Sequence, residues 1–169
     1  MKKNPKSFPF CSKYLLLERD EGIHKNSLFK FQEWWYFNVL FNNSKSQLKD
    51  WSLTISLGTF PHTDSLKLVL HDENGKTYGD MYLKPARMIK AKEEGVDVNL
   101  DGSTAKGFYP EWKVYAHNKN LDSDEIIVDL KFNANTLPVW LVKNTGLNHT
   151  SSLFGYYCVM NCSVDGTVS

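Results

Sequence analysis

Between Trp51 and Phe60 the chain reads WSLTISLGTF, a strict alternation that puts Trp51, Leu53, Ile55 and Leu57 on one side of an extended backbone. Ser52, Thr54, Ser56 and Gly58 fall on the other side. The same period of two returns in EIIVDLKFNA, where Ile126, Val128, Leu130 and Phe132 oppose Ile127, Asp129, Lys131 and Asn133. A helical period of 3.6 hardly appears, so the chain is expected to be all-β. SLKLVLHD and KTYGDMYLK flank Asn74-Gly75, a pair that suits a tight connection, and predict a hairpin over 66–84. Further strands are expected in QEWWYFNVLF, ARMIKA, VDVNLD, EWKVYAH and SLFGYYCVMNCSV.

About nine strands at this spacing predict an antiparallel barrel or sandwich. Several strands carry bulky groups on both faces, Trp34 and Tyr36 opposite Trp35 and Phe37, which favours a barrel with an occupied lumen. With 169 residues, one domain over 14–169 is expected, preceded by a flexible arm over 1–13. Aromatic residues make up 14% of the chain, so the interior is expected to be built around rings.

Charge excludes some partners. Twenty Lys and Arg against nineteen acids leave a net +1, too little to steer the chain onto nucleic acid. No apolar run is long enough for a transmembrane segment, and no signal-peptide core is present. Three cysteines without a Cys-x-x-Cys pair fit a reducing compartment, so a cytoplasmic location is expected. The five histidines show no metal-ligand spacing, and phosphate-loop, serine-hydrolase and dinucleotide signatures are missing, so neither a metal nor an organic cofactor is expected.

The densest chemistry lies in QEWWYF, where Glu33 adjoins Trp34, Trp35 and Tyr36. A carboxyl desolvated among rings can remain a proton donor near neutrality, and ring faces stabilise a nearby cation. Glu33 is therefore a candidate catalytic acid, with a paired carboxylate at a strand start as the other reading. On a strand, Glu33 shares a face with Trp35 while Trp34 shares one with Tyr36. His24, in DEGIH, is either a proton shuttle or a surface loop group. Tyr109 and Trp112 line the lumen or belong to plain core, and Tyr156 and Tyr157 point to opposite faces, so one of them can look inward.

Three stretches, ERDEGIHKNSLFKFQEWWYFNVLF, GFYPEWKVYA and DLKFNANTLPVWL with GYYCVMNCSVDGTV, taken in order, resemble the lipocalin-like carotenoid 1,2-hydratase (hydroxyneurosporene synthase) superfamily. The resemblance spans residues 18–168. It implies a lipocalin-like β-barrel, the first of two such units, whose partner would stand in cis or in trans. It also implies a small hydrophobic ligand, terpenoid or polyene, and a cofactor-independent hydratase or cyclase. A carrier or an interaction domain without chemistry is the alternative. The residues expected at such a site are Glu33 and His24 as catalytic groups and Trp34, Trp35, Tyr36, Tyr109, Trp112, Tyr156 and Tyr157 as ligand contacts.

Overall fold

The computed structural model describes residues 21–23, 32–42, 46–118, 125–142 and 156–169, and in them the chain is all-β. Four strands form one antiparallel meander: β1 (Glu33–Leu40), β2 (Ser52–Thr59), β3 (Thr63–His71) and β4 (Thr77–Pro85). A six-stranded sheet follows. It is built from β5 (Lys90–Ala91), β6 (Val96–Leu100), β7 (Ser103–Phe108), β8 (Glu111–His117), β9 (Ile127–Ala134) and β12 (Cys162–Val168), in the order β12-β9-β8-β7-β6-β5. A separate pair joins β10 (Val139–Val142) to β11 (Tyr156–Cys158).

The expected alternation decides which face is buried. On β2 the residues Leu53, Ile55 and Leu57 are sealed from water, and on β9 Val128, Leu130 and Phe132 are. The Asn74-Gly75 hairpin forms as predicted: Gly75 N–H donates to Asp72 O, and Gly75 adopts φ 82°, which its missing Cβ permits.

Three features depart from the sequence reading. Among the described residues twelve strand segments stand where about nine were expected. The last aromatic stretch divides because β11 pairs with β10 while β12 pairs with β9, so its two halves serve different sheets. The closed barrel is also not found: among the described residues no ladder joins β1 or β4, the edges of the first sheet, to the second. At the corner between the sheets, Pro85 ends the β3–β4 ladder without an N–H to give, and Arg87 turns the chain at φ 71°.

The two sheets cross steeply. Trp35, Leu57, Leu66 and Tyr82 form one inner row across the first sheet. At one end of this row Trp35 meets Glu21, which bonds to Trp112 near the start of β8; at the other, Tyr82 Oη accepts from Asn118, just past its end. A row perpendicular to one set of strands thus runs along a strand of the other set, which is orthogonal packing.

Between the sheets lies one continuous core. Its middle is aliphatic, and Ile55, Leu57, Leu68, Val98, Val114 and Val128 are all 0% exposed. Side chains with no surface open to water border no hollow wide enough for a water molecule, so this part of the interior is solid. Of the rings expected to line a long lumen, Trp35, Tyr109, Trp112 and Tyr157 collect at one end of it.

Across the corner, Lys84 Nζ donates to Asp101 Oδ2 at 2.7 Å. That hydrogen bond, reinforced by charge, holds the Asp101 carboxyl below its ordinary value of 3.8. A depressed carboxylate binds protons more readily when unfolded, so the pair's contribution is complete above the ordinary value and is lost as pH falls through the folded one. Asp101 is exposed and well screened, so the effect is small. We expect Lys84→Met to lower the urea midpoint slightly at about pH 6, and this loss to shrink as pH falls through the folded aspartate's lowered value.

Candidate functional site

The carboxylate that the fold places among the rings is Glu21. Its side chain is 2% exposed, and three hydrogen bonds converge on it from residues far away in the chain. Tyr157 Oη donates to Oε1 at 2.8 Å and Trp112 Nε1 donates to the same oxygen at 3.2 Å. The Tyr109 backbone N–H donates to Oε2 at 3.1 Å, so both oxygens are engaged. Trp35 Nε1 donates to the Glu21 backbone carbonyl at 2.8 Å. The rings form walls around this arrangement, with the Tyr109 and Trp112 centroids 6.1 Å apart at an edge-on angle of 63°.

Local sequence explains how Glu21 reaches the interior. Gly22 lies directly on the turn after β5: a Cβ there would overlap the Glu93 carbonyl group and stand 2.7 Å from Glu94 N. Glycine alone permits that approach. Ile23 N–H then donates to Lys92 O at 2.8 Å, and the Ile23 side chain joins the core. Residues 21–23 thus form a strap across the ring-lined end, fastened by their backbone on one side and by the Glu21 carboxylate on the other.

Of the residues read as ligand contacts, the fold brings together Trp35, Tyr109, Trp112 and Tyr157. Trp35 and Trp112 are buried, whereas Tyr109 and Tyr157 are half-buried. Trp34 and Tyr36 are corrected. They point to the outer face of the first sheet, at 36% and 46% exposure, because the pleat that buries Trp35 must turn its neighbours away. On that face they share rows with Leu83 and Met81, also exposed.

Glu33 opens β1 half-buried, on the Trp35 side, opposite Thr59. It stands in an inner row of Glu33, Thr59, Asp64 and Lys84, so this end of the first sheet is polar as well as aromatic. Asp64 is fully buried there and accepts the Ile89 N–H at 2.7 Å. The Trp35 and Trp112 indoles, however, bond to Glu21. His24 and the side chain of Tyr156 lie outside the described residues. Among the described residues no group of three or more His, Cys, Asp or Glu side chains is placed to hold a metal, and no helix is long and apolar enough to cross a membrane.

Sequence reasoning missed Glu21 because it sought a carboxylate next to indoles along the chain. Its partners are 88, 91 and 136 residues away. The available signal was the following Gly22, since a glycine between a charged and a branched apolar residue marks close backbone approach. No protein-family model, curated protein or solved structure matches this chain.

Proposed function

We propose that this chain is a lipocalin-like domain that binds an elongated hydrophobic ligand of terpenoid or polyene type at its ring-lined end. The observation that carries this reading is the convergence of Trp35, Tyr109, Trp112 and Tyr157 on one buried glutamate, Trp35 at its backbone carbonyl and the others at its carboxylate. Aromatic walls with a few fixed polar groups are the usual make-up of a small-molecule site. Orthogonal sheets joined at a corner support the lipocalin-like reading, and the ordered motifs support kinship with the hydratase superfamily. A guest would lie across the rings and the strap, because the aliphatic middle has no room for it.

Binding is favoured over hydration. Hydrating an alkene needs a carboxyl that gives up a proton, whereas Tyr157, Trp112 and the Tyr109 N–H address both Glu21 oxygens as acceptors. On this reading Glu21 is a fixed polar group at the site, and the domain is a carrier.

Titration of the chain with a neutral polyene alcohol, followed by tryptophan fluorescence, tests the proposal. Saturable quenching is expected at one ligand per chain, weakened about tenfold by Trp112→Leu, which removes a ring of large contact area. Mass spectrometry of the recovered ligand is expected to show no added water. Linear, unsaturable quenching would remove the binding reading, and a product heavier by one water would replace the carrier with a hydratase.

A further inference from the structure

The three donors around Glu21 are a receptor for a carboxylate whichever molecule supplies it. Tyr157 Oη and Trp112 Nε1 address one oxygen and Tyr109 N–H the other, so the two-oxygen geometry of the group is read. Trp112 is 5% exposed and its ring abuts that of Tyr109, so its N–H works away from water, where it is strengthened, while Tyr109 and Tyr157 are half-buried. All three come from the second sheet, its β7–β8 turn and β11, and none belongs to the strap.

The strap has ties besides the Glu21 side chain. Its backbone is tied by Trp35 Nε1 to Glu21 O and by Ile23 N–H to Lys92 O, and Gly22 is seated on the 93–94 backbone. Rotation or truncation of the Glu21 side chain would vacate the donors and leave these ties intact.

We infer that Glu21 is an internal occupant of a carboxylate-binding site, and that the domain's guest is an amphiphilic carboxylate, an apolar chain ending in a carboxyl group, which displaces the Glu21 side chain and takes its three donors. This inference rests on the hydrophobic-ligand reading and narrows the ligand class. The apolar chain would lie along the rings, and one carboxyl group would take the place of another, so the three donors keep an acceptor. Neutral alcohols and esters, which offer no second anionic oxygen, would bind at the rings without displacing Glu21.

The test compares a fluorescent conjugated polyene fatty acid with its methyl ester on the full chain and on Glu21→Ala. We expect the acid to bind Glu21→Ala at least about a hundredfold more tightly than the parent chain, because no internal competitor remains, and the ester to bind both alike. Adding Tyr157→Phe to Glu21→Ala should abolish the acid's advantage. Thermal unfolding gives a second readout: decanoate should raise the midpoint of Glu21→Ala, and decanol should not do so selectively. If Glu21→Ala does not fold unaided, its refolding by decanoate and not by decanol supports the inference, and failure of decanoate to restore it overturns the inference. Equal affinity of acid and ester for Glu21→Ala overturns the carboxylate site and leaves the hydrophobic-ligand reading standing. If neither compound binds either protein, both readings fall together.

Discussion

Replacing Glu21 by leucine is expected to destabilise the fold by about 3–5 kcal/mol, although the new side chain is apolar and enters an apolar core. The substitution removes the acceptor for a backbone N–H, an indole N–H and a phenol O–H, all drawn to one buried carboxylate. Each buried donor left without an acceptor costs about 1–3 kcal/mol, offset in part by the greater burial of apolar surface. For a domain of this length each kcal/mol moves the unfolding midpoint by about 2–4 °C, so a fall of roughly 6–20 °C should be seen by circular dichroism. Glu21→Gln, which keeps one acceptor oxygen, should fall between the two. Glu33→Leu is the comparison that matters, because Glu33 is the carboxylate the sequence singles out. It is only half-buried, and its replacement should cost less than about 1 kcal/mol. If Glu33→Leu were the more damaging of the two, the assignment of the buried anion to Glu21 would be wrong.

That comparison also separates what was legible in the sequence from what was not. Alternation is a local property, and it correctly sorted Leu53, Ile55 and Leu57 from Ser52, Thr54 and Ser56, and Val128, Leu130 and Phe132 from their neighbours. The Asn74-Gly75 turn was legible for the same reason, since its geometry depends on two adjacent residues. β7 escaped notice because STAKGF offers no run of large apolar residues. It is held by pairing on both sides, to β6 and to β8, and not by its own propensity. β11 and β12 were merged because a stretch rich in rings on both faces gives no sign of where a chain leaves one sheet for another.

The candidate site was half legible. Tyr109, Trp112 and Tyr157 were identified by residue type, because an aromatic residue next to proline or in an apolar strand signals burial. Their meeting point was not, because it depends on how the two sheets cross. Orthogonal packing brings the Trp35 end of one sheet to the Trp112 end of the other, and the strap enters between them. No periodicity encodes that angle.

Gly22→Val is expected to do as much harm as the loss of the carboxylate, by a different route. The added carbon would overlap the Glu93 carbonyl group and crowd Glu94 N, and these are backbone atoms that cannot rotate aside as a side chain would. Overpacking of this kind typically costs about 1–3 kcal/mol. Here the strap can relieve it only by lifting, which breaks the Ile23 N–H bond to Lys92 and draws Glu21 away from Trp112, Tyr157 and the Tyr109 N–H. The combined loss should reach about 3–5 kcal/mol once those buried donors are counted. Gly75→Ala separates this from a general intolerance of glycine replacement, because nothing lies within 4 Å of the site and only the positive φ opposes the change, at about 1–2 kcal/mol. Coupling gives the sharper result. Since Gly22→Val and Glu21→Leu dismantle the same network, the double variant should be more stable than the sum of the two losses implies, by about 1–3 kcal/mol. Strict additivity in urea unfolding would mean that the glycine contact and the carboxylate cluster are independent, and that residues 21–23 do not act as one strap.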